Sequence, residues 1–410
     1  MLHTRQMEAW RSAIAFDGRR FLPDGATVLV EDGLIVGVEP MAYDVPHDCP
    51  VTELTGTLLP GLVDAHVHLV SDGGLGSLER VATLDADEVD AQVERSLRAQ
   101  AAAGVTTVRD LGDIGYRTLA FRDRAEPGLP RVVAAGPPIT SPGGHCHYLG
   151  CTAESPAELE VAVRDHHERG TDVVKVMASG GFLTPGTDVL GAQFAVAQLQ
   201  ALVEQAHQLG LPVLAHAHSL TGIEVSLAAG VDGIEHFSGV TDHGVDLPDE
   251  LLDRVAAAGV LVDPTMGNDM SLVPLLPPPP PQIAELMARL GTDMVTVFEQ
   301  RYRDVARMRA HGVRVVPGVD AGAMPLKAHG NAWIAVTDLV RAAYPVDEAL
   351  AAGTSGAADA CGVGDATGAL RAGLAADLLA VDGDLRSDPA ALGRPVAVVV
   401  RGECVLTPAP

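Results

Sequence analysis

The segment LPGLVDAHVH, residues 59–68, ends an apolar run with two histidines that are separated by one residue. Successive side chains of a β-strand point to opposite faces, so His66 and His68 of one strand would point to the same face. The chain has 15 histidines, and pairs with this spacing occur at His66/His68, His145/His147 and His216/His218. At this histidine content, the number of such pairs expected by chance is roughly one half. Three pairs therefore indicate a site built on imidazoles.

Downstream of this segment, short apolar runs alternate with amphipathic helical stretches. The runs cover residues 61–68, 105–111, 131–136, 173–178, 212–218, 233–237, 259–264 and 313–320. Two of the predicted helices, 91–103 and 198–209, are each followed by a glycine, which is a typical C-terminal cap. Eight strand–helix alternations predict an α/β fold, a parallel (β/α)8 TIM barrel, whose active site lies at the C-terminal ends of its strands.

Both ends of the chain have a β pattern instead. Residues 26–30 and 34–38 are joined by a short turn with a glycine, and 377–381 and 396–402 form a second pair of apolar runs. Short strands at the two termini can pair with each other. We therefore expect residues 1–60 and 362–410 to form a composite β-sandwich domain, and residues 61–361 to form the catalytic barrel domain.

Chemically unusual side chains lie at or near the ends of the predicted barrel strands. They are His66, His68, Lys175, His216, His236 and Asp320. A single histidine on an apolar strand is more often a hydrogen-bonded core residue, and a single strand-end aspartate is usually a helix cap. Imidazoles and a carboxylate that converge from several strand ends, however, form the type of ligand set that suits Zn²⁺.

Lys175 stands out because only two of the 28 lysine and arginine residues are lysines. An ammonium group on a buried strand is costly unless it is paired or modified, and it has no lone pair for a metal. If CO₂ adds to the neutral amine, the resulting carbamate has two oxygens that can bridge two cations. Arginine cannot react in this way because its guanidinium keeps its proton. The alternative is a buried lysine that pairs with a barrel carboxylate.

Composition excludes several classes of function. The net charge of −26 argues against nucleic acids and anionic membranes as partners, because both need a basic surface. No apolar run approaches the ~20 residues that a membrane span needs. Five scattered cysteines form neither a disulfide framework nor a metal knuckle, so we expect a cytoplasmic protein. The prolines at 277–281 predict a stiff stretch that is either a spacer or a rigid wall over a site.

The motifs together resemble those of the amidohydrolase superfamily, and the resemblance covers essentially the whole chain. The closest likeness is to metal-dependent hydrolases grouped with bacterial Xaa-Pro dipeptidases, zinc carboxypeptidases and imidazolonepropionase-like proteins. The motifs are LPGLVDAHVH (59–68), TTVRDLG (106–112), KVMASGG (175–181), AHAH (215–218), IEH (234–236) and GVDAG (318–322).

The resemblance implies a binuclear centre for two Zn²⁺ or other divalent cations. In such a centre His66, His68 and Asp320 bind the buried metal and His216 and His236 bind the exposed one. N6-carboxylated Lys175 bridges both metals. Related deaminases and true imidazolonepropionases lack the lysine and use one metal, so Lys175 argues against that branch.

Other residues are candidates for substrate contacts. The resemblance implies that His145, in a Gly-Gly-His loop, contacts the substrate and stabilises the oxyanion. His218 stands where dipeptidase relatives often have tyrosine, a departure from the prolidase pattern. Lys327 and Arg109 are candidate cations for a substrate carboxylate. Their alternatives are a solvated loop lysine and a buried ion-pair partner, and for His147 a surface loop is the favoured interpretation.

These features predict a hydrolase of amide bonds in a small-molecule substrate, either a dipeptide (Xaa-Pro or Xaa-hydrophobic) or an N-acyl amino acid. A metal-bridging hydroxide would attack the carbonyl, with Asp320 as acid and base. The alternatives are hydrolysis of a lactone, carbamate or organophosphate ester, an imidazolonepropionase-like cyclic amide hydrolase, and a non-catalytic assembly protein. Relatives of this kind often form homo-oligomers.

Overall fold

The computed structural model describes residues 7–279 and 281–407. Pro280 of the predicted proline stretch and residues 1–6 and 408–410 of the predicted sandwich lie outside this part of the chain. The strands are β1 (Glu8–Phe16), β2 (Phe21–Leu22), β3 (Ala26–Glu31), β4 (Leu34–Glu39), β5 (Val51–Pro60), β6 (Leu62–Val67), β7 (Val105–Asp110), β8 (Arg131–Ala134), β9 (Ile139–Thr140), β10 (Cys151–Thr152), β11 (Val174–Met177), β12 (Val213–Ser219), β13 (Gly233–Thr241), β14 (Gly244–Val245), β15 (Leu261–Asp263), β16 (Arg314–Val315), β17 (Leu378–Val381), β18 (Pro395–Val400) and β19 (Glu403–Leu406). The α-helices are α1 (Ser77–Val81), α2 (Ala86–Ala102), α3 (Arg117–Arg124), α4 (Pro156–Arg169), α5 (Val196–Gln208), α6 (Leu220–Ala229), α7 (Asp249–Ala258), α8 (Pro281–Leu290), α9 (Met294–Ala310), α10 (Ala332–Arg341), α11 (Val346–Ala352) and α12 (Ser355–Ala360).

Strands from both termini share one sheet. Its order is β19-β18-β17-β5-β1-β3-β4, and β2 pairs with β1. Strand β5 joins the two parts, because it is parallel to β1 on one side and antiparallel to β17 on the other. The hairpin between β3 and β4 turns through Asp32 and Gly33, whose φ angles are 52° and 76°. Positive φ at both central residues is the tight turn that suits the twist of a hairpin. The domain limits proposed from the sequence stay a prediction.

The middle of the chain is a mixed α/β fold with parallel strands. One sheet has the order β6-β7-β8, and the other has the order β10-β9-β11-β12-β13-β15-β16. Apart from the antiparallel pair β13–β14, the pairings within these two sheets are parallel. The α/β class predicted from the alternating runs is therefore confirmed.

The two parallel sheets meet at a few backbone contacts rather than along a continuous strand ladder. At one junction Val67 and Ala321 form an isolated parallel bridge, and Asp320 N donates to His66 O over 2.7 Å. At the other junction Asp172 N donates to Ala134 O over 2.9 Å. Of the predicted eighth run, 313–320, only Arg314–Val315 is a strand. A closed eight-stranded barrel consequently stays a prediction.

Helices α2 and α4 show how local sequence sets the element ends. Both begin with a capping box, in which Asp85 pairs with Glu88 and Ser155 pairs with Glu158. The sequence pattern placed the start of α2 at residue 91, and the cap explains why it begins earlier, at Ala86. Gly104 follows the cap residue of α2 with a φ of 85°, which confirms the predicted stop signal.

Among the described residues, no helix combines the length and the apolar character that crossing a bilayer requires.

Leu58 tests the joint between the two termini. It is fully buried in β5, opposite Ala15 of β1 and Ala380 of β17. We expect Leu58→Ala to lower the free energy of unfolding by about 2–5 kcal/mol, because the cavity is shared by strands from both ends. Val405→Ala is the control, since Val405 is 38% exposed on β19. This substitution should change the free energy of unfolding by about 0.5 kcal/mol. Urea denaturation measures both, and equal effects would contradict the joint role of β5.

Candidate metal centre

The structure brings all six predicted ligands together at the ends of the parallel strands. His66 and His68 lie at the end of β6, and the Nε2 atoms of both face Asp320 Oδ1, at 3.5 and 3.1 Å. The rings of His216 on β12 and His236 on β13 have centroids 4.5 Å apart. The structure thus contains both halves of the predicted ligand set.

In the part of the chain that the structure describes, three groups of side chains have ligand atoms within 4.8 Å of one another and could hold a metal ion. They are His66 with His68 and Asp320, His216 with His218 and His236, and His66 with Glu235 and Asp263. The first two groups correspond to the predicted ligand sets, and the second also includes His218. The His66 and His236 rings are 5.6 Å apart, so the groups form one continuous cluster.

Backbone and hydroxyl groups fix the orientation of three of the imidazoles. His68 Nδ1 lies 3.0 Å from Gly112 O, and His216 Nε2 lies 3.3 Å from Gly180 O. His236 Nδ1 lies 2.9 Å from Thr265 Oγ1. Each contact occupies one ring nitrogen and leaves the other free toward the cluster, as is typical of metal-ligating histidines.

Burial sets the protonation of the cluster. It lowers the pKa of His66 to about 3 and holds the pKa values of His216 and His236 well below the ordinary value. Burial acts to raise the pKa of Asp320, but the hydrogen bond from His68 and the nearby positive groups lower it overall. The neutral imidazoles of His66, His216 and His236 and the ionised carboxylate of Asp320 are in the protonation state that metal binding needs.

Lys175 is 1% exposed on β11, and its Nζ lies 3.5 Å from His66 Nε2. Among the described residues no carboxylate lies within ion-pair distance of its Nζ. Burial lowers its pKa, and the neighbouring carboxylates only partly oppose this shift. The geometry therefore does not provide the salt bridge that was the alternative explanation for a lysine on a barrel strand.

Two buried carboxylates were not singled out from the sequence. His66 Nδ1 lies 2.8 Å from Glu235 Oε2 and 3.5 Å from Asp263 Oδ2. Burial raises the pKa of Asp263, and Glu235 adds to this effect. Asp263 lies one residue before the end of the predicted run 259–264, and Asp320 ends the run 313–320, so the position of Asp263 near a strand end was a usable signal. Glu235 lies one residue before His236 and carried no separate signal.

Backbone strain is concentrated at this site. His236, Thr265 and Asp320 have φ angles of 66°, 47° and 64°, in the left-handed region that non-glycine residues rarely adopt. Each such residue costs of order 1–3 kcal/mol and persists only where the surroundings enforce it. The hydrogen bond between the side chains of His236 and Thr265 is part of that enforcement.

The residues predicted to contact the substrate differ in their neighbours and in their hydrogen bonds. His145 is 5% exposed, and its ring lies 4.5 Å from that of His216. His218 stacks on His236 at 4.3 Å. Lys327 is buried rather than solvated, and its Nζ donates to Thr265 O and Val319 O over 2.7 and 2.6 Å.

Arg109 lies away from these groups. Its guanidinium donates to Ala65 O and Ala360 O and lies 3.6 Å from Glu235. This geometry favours a buried ion-pair partner, and a substrate contact by Arg109 stays a prediction without support. His147 Nδ1 lies 2.9 Å from Gly144 O of its own loop, and His147 is not among the residues that line the cavity described next.

A cavity of about 1380 Å³ opens over the ligand cluster. Its lining includes all six predicted ligands, and also His145, His218 and Lys327. Residues 277–279 of the proline stretch line it too. These prolines thus form part of a wall over the site. The sequence had left two alternatives, a spacer and a rigid wall, and the structure favours the wall.

Comparison with known proteins identifies the family. Residues 57–405 match the model of the amidohydrolase family. The chain belongs to this family. An uncharacterised protein of Mycobacterium tuberculosis is 30% identical over 354 residues, 85% of each chain. An imidazolonepropionase of Cereibacter sphaeroides is 29% identical over 403 residues, 90% of this chain and 91% of its own.

The fold comparison agrees with the sequence resemblance. A crystal structure of a Xaa-Pro dipeptidase with bound methionine superposes with a TM-score of 0.82 and 23% identity, over 98% of this chain and 100% of its own. The predicted membership of the amidohydrolase superfamily is therefore confirmed. The chain is a metal-dependent hydrolase.

Metal removal tests the centre. We expect dialysis against a chelator to lower the melting temperature and Zn²⁺ to restore it, because an ion that binds only the native state stabilises it by about 4 kcal/mol at a thousandfold saturation. Differential scanning fluorimetry measures the shift. His236→Ala should lose the response, whereas His147→Ala, outside the cluster, should keep it. An undiminished response in His236→Ala would contradict this ligand set.

Proposed function

We propose that this amidohydrolase is a cytoplasmic binuclear zinc enzyme that cleaves amide bonds of dipeptides or N-acyl amino acids. Its catalytic domain would be a closed (β/α)8 barrel of residues 61–361, beside a β-sandwich of residues 1–60 and 362–410. The observation that carries the proposal is Lys175, which is buried beside His66 without a carboxylate partner among the described residues. The family membership and the amide-cleaving relatives support the class of reaction.

The donor set fits two divalent cations. Imidazole nitrogens and carboxylate oxygens are the ligands that Zn²⁺ accepts, and open positions are typical of its catalytic sites. His66, His68 and Asp320 would hold one ion, and His216 and His236 would hold the other. Glu235 Oε2 and Asp263 Oδ2 both face His66 Nδ1, at 2.8 and 3.5 Å, so these carboxylates would orient that imidazole.

Lys175 would bridge the two ions after carboxylation. Burial lowers its pKa, which favours the neutral amine that CO₂ requires. The Nζ lone pair forms a bond to the carbon of CO₂, the nitrogen loses a proton, and the product is an anionic carbamate. That anion would stand in place of the neutral amine and would supply two oxygen ligands.

Two metal ions, when bound, acidify a water molecule and polarise the scissile carbonyl. The residues of the chain would move the protons. Asp320 is held in its ionised form, so it starts as an acceptor for the proton of the attacking water. It would then pass this proton to the leaving nitrogen, which makes it base and acid in one turnover.

His145 and Lys327 would orient the substrate. His145 Nδ1 is buried without a hydrogen-bond partner among the described residues, and the ring lines the cavity, so it can donate to the developing oxyanion. Lys327 uses two of its three ammonium protons on backbone carbonyls and keeps one for a substrate carboxylate. His218 lines the same cavity, where its ring stacks on that of His236, and it would also contact the substrate.

Replacement of the lysine tests the bridge. We expect Lys175→Arg to reduce bound zinc from two ions per chain to one or none, and kcat/KM by at least about a thousandfold, because a guanidinium cannot form the carbamate. Metal analysis and kinetics measure the two effects. Lys327→Arg is the matched control, since it changes the other lysine and should keep both ions. Two ions and full activity in Lys175→Arg would exclude the carbamate.

A substrate library tests the reaction. We expect amine release from dipeptides or N-acyl amino acids by the zinc-loaded enzyme, and a loss of about 10²–10⁴ in kcat/KM for Asp320→Asn, because the proton shuttle is removed. Parallel assays with lactones, carbamates and phosphotriesters separate the alternatives. Turnover confined to those esters would contradict amide hydrolysis. One zinc per active chain would instead favour the cyclic amide hydrolases.

A further inference from the structure

The cavity above the metal cluster is larger than cleavage of a small dipeptide needs. Its volume is about 1380 Å³, whereas pockets for drug-sized ligands usually measure about 300–1,000 Å³. The ligand histidines and Asp320 form one wall. The remaining wall comes mostly from residues 181–190, 264–279 and 281–298, whose lining side chains are mostly apolar, prolines included.

Methionine is concentrated in that second wall. The chain has ten methionines, and six of them line the cavity: Met266, Met270, Met287 and Met294 belong to that wall, and Met177 and Met324 lie beside it. Methionine side chains are apolar, flexible and polarisable, and they adapt to ligands of differing shape. We call this wall, together with helix α8, the methionine chamber.

Helix α8 presents its apolar side to the chamber instead of to a protein core. Ile283, Leu286 and Met287 line the cavity and are half-buried, whereas Ala284 and Ala288 are exposed. None of the described side chains of α8 is fully buried. An amphipathic helix normally packs its apolar stripe against other protein. In this protein, an apolar group bound in the cavity would cover the apolar stripe of α8 instead.

Among the described residues, no buried cation belongs to the wall of the chamber itself, and Arg301 and Lys327 lie beside it. Arg301 donates to Phe237 O and Pro264 O over 2.9 and 3.2 Å, and also to His236 O. Lys327 is bonded to two carbonyls beside the ligand cluster, and Arg289 is exposed on α8. An anionic group would therefore find no cationic partner deep in the chamber, whereas an uncharged apolar group would gain by leaving water.

We propose that the methionine chamber binds a bulky, uncharged apolar acyl group of the amide substrate, so that N-acyl amino acids with medium or long acyl chains are preferred over small dipeptides. This inference rests on the proposed amide hydrolysis for its catalytic meaning. The binding itself depends only on the chamber. The flexible methionines should tolerate acyl groups of varied shape.

Calorimetric titration of the full-length, zinc-loaded chain with N-acetylglycine, N-octanoylglycine and N-dodecanoylglycine tests the binding. Each buried methylene strengthens binding by at most about fourfold, so we expect the octanoyl compound to bind at least about tenfold more tightly than the acetyl compound. Equal dissociation constants for the acetyl and octanoyl compounds would overturn the proposal.

Variants on α8 locate the site. Met287→Glu should weaken octanoyl binding at least about tenfold, because a carboxylate then lines the chamber, while acetyl binding changes less than about twofold. Ala288→Glu is the matched control, since it puts the same charge on the exposed side of the same helix and should change neither. If Met287→Glu does not fold, Leu286→Trp narrows the chamber and should weaken dodecanoyl binding most. Octanoyl binding that withstands both substitutions would overturn the proposal.

Kinetics separates this inference from the proposed function. Chain-length-dependent binding without hydrolysis of any amide would support the chamber and contradict amide hydrolysis. Hydrolysis of N-acetyl and N-octanoyl amino acids at equal kcat/KM, with equal binding, would support amide hydrolysis and overturn the chamber. A kcat/KM that rises with acyl length and falls in Met287→Glu would support both.

Discussion

His66 connects the first parallel strand to every part of the metal centre. Its backbone carbonyl accepts a hydrogen bond from Asp320 N, which attaches the last strand segment to the first. Its ring lies between Asp320 and Lys175 on one side and Glu235 on the other. The same residue therefore closes the gap between the two parallel sheets and sets the spacing of the ligands.

Burial of this cluster controls its chemistry. Groups that would be charged in water lose their solvation, so the pKa values of His66, His216, His236 and Lys175 fall. Asp320 remains ionised because His68 donates to it and positive groups lie nearby. Neutral nitrogen donors beside an anion bind divalent cations well, and a neutral amine is open to carboxylation. One cause, the loss of water, thus prepares several groups for the same function.

The clustering of the candidate ligands was predictable because its signal is local. Parallel strands end at one edge, so polar residues at the ends of successive apolar runs must come close together, which is why His66, His216 and Asp320 were all found. Asp263 followed the same rule and was overlooked, whereas Glu235 points into the interior from within a strand. Arg109 looked like a substrate cation from its place near a strand end, yet its guanidinium bonds to Ala65 and Ala360. Strand position alone does not determine which buried groups pair.

The sequence by itself determined the α/β class, the sharing of one sheet by the two termini and the identity of the clustered side chains. These features follow from side-chain periodicity and from strand ends, which act over a few residues. Only the tertiary structure decided the shape of the cavity, the isolated contacts between the two parallel sheets and the direction in which α8 faces. These depend on how loops from distant strands pack over one another, and the six methionines around the cavity are scattered from 177 to 324 along the chain.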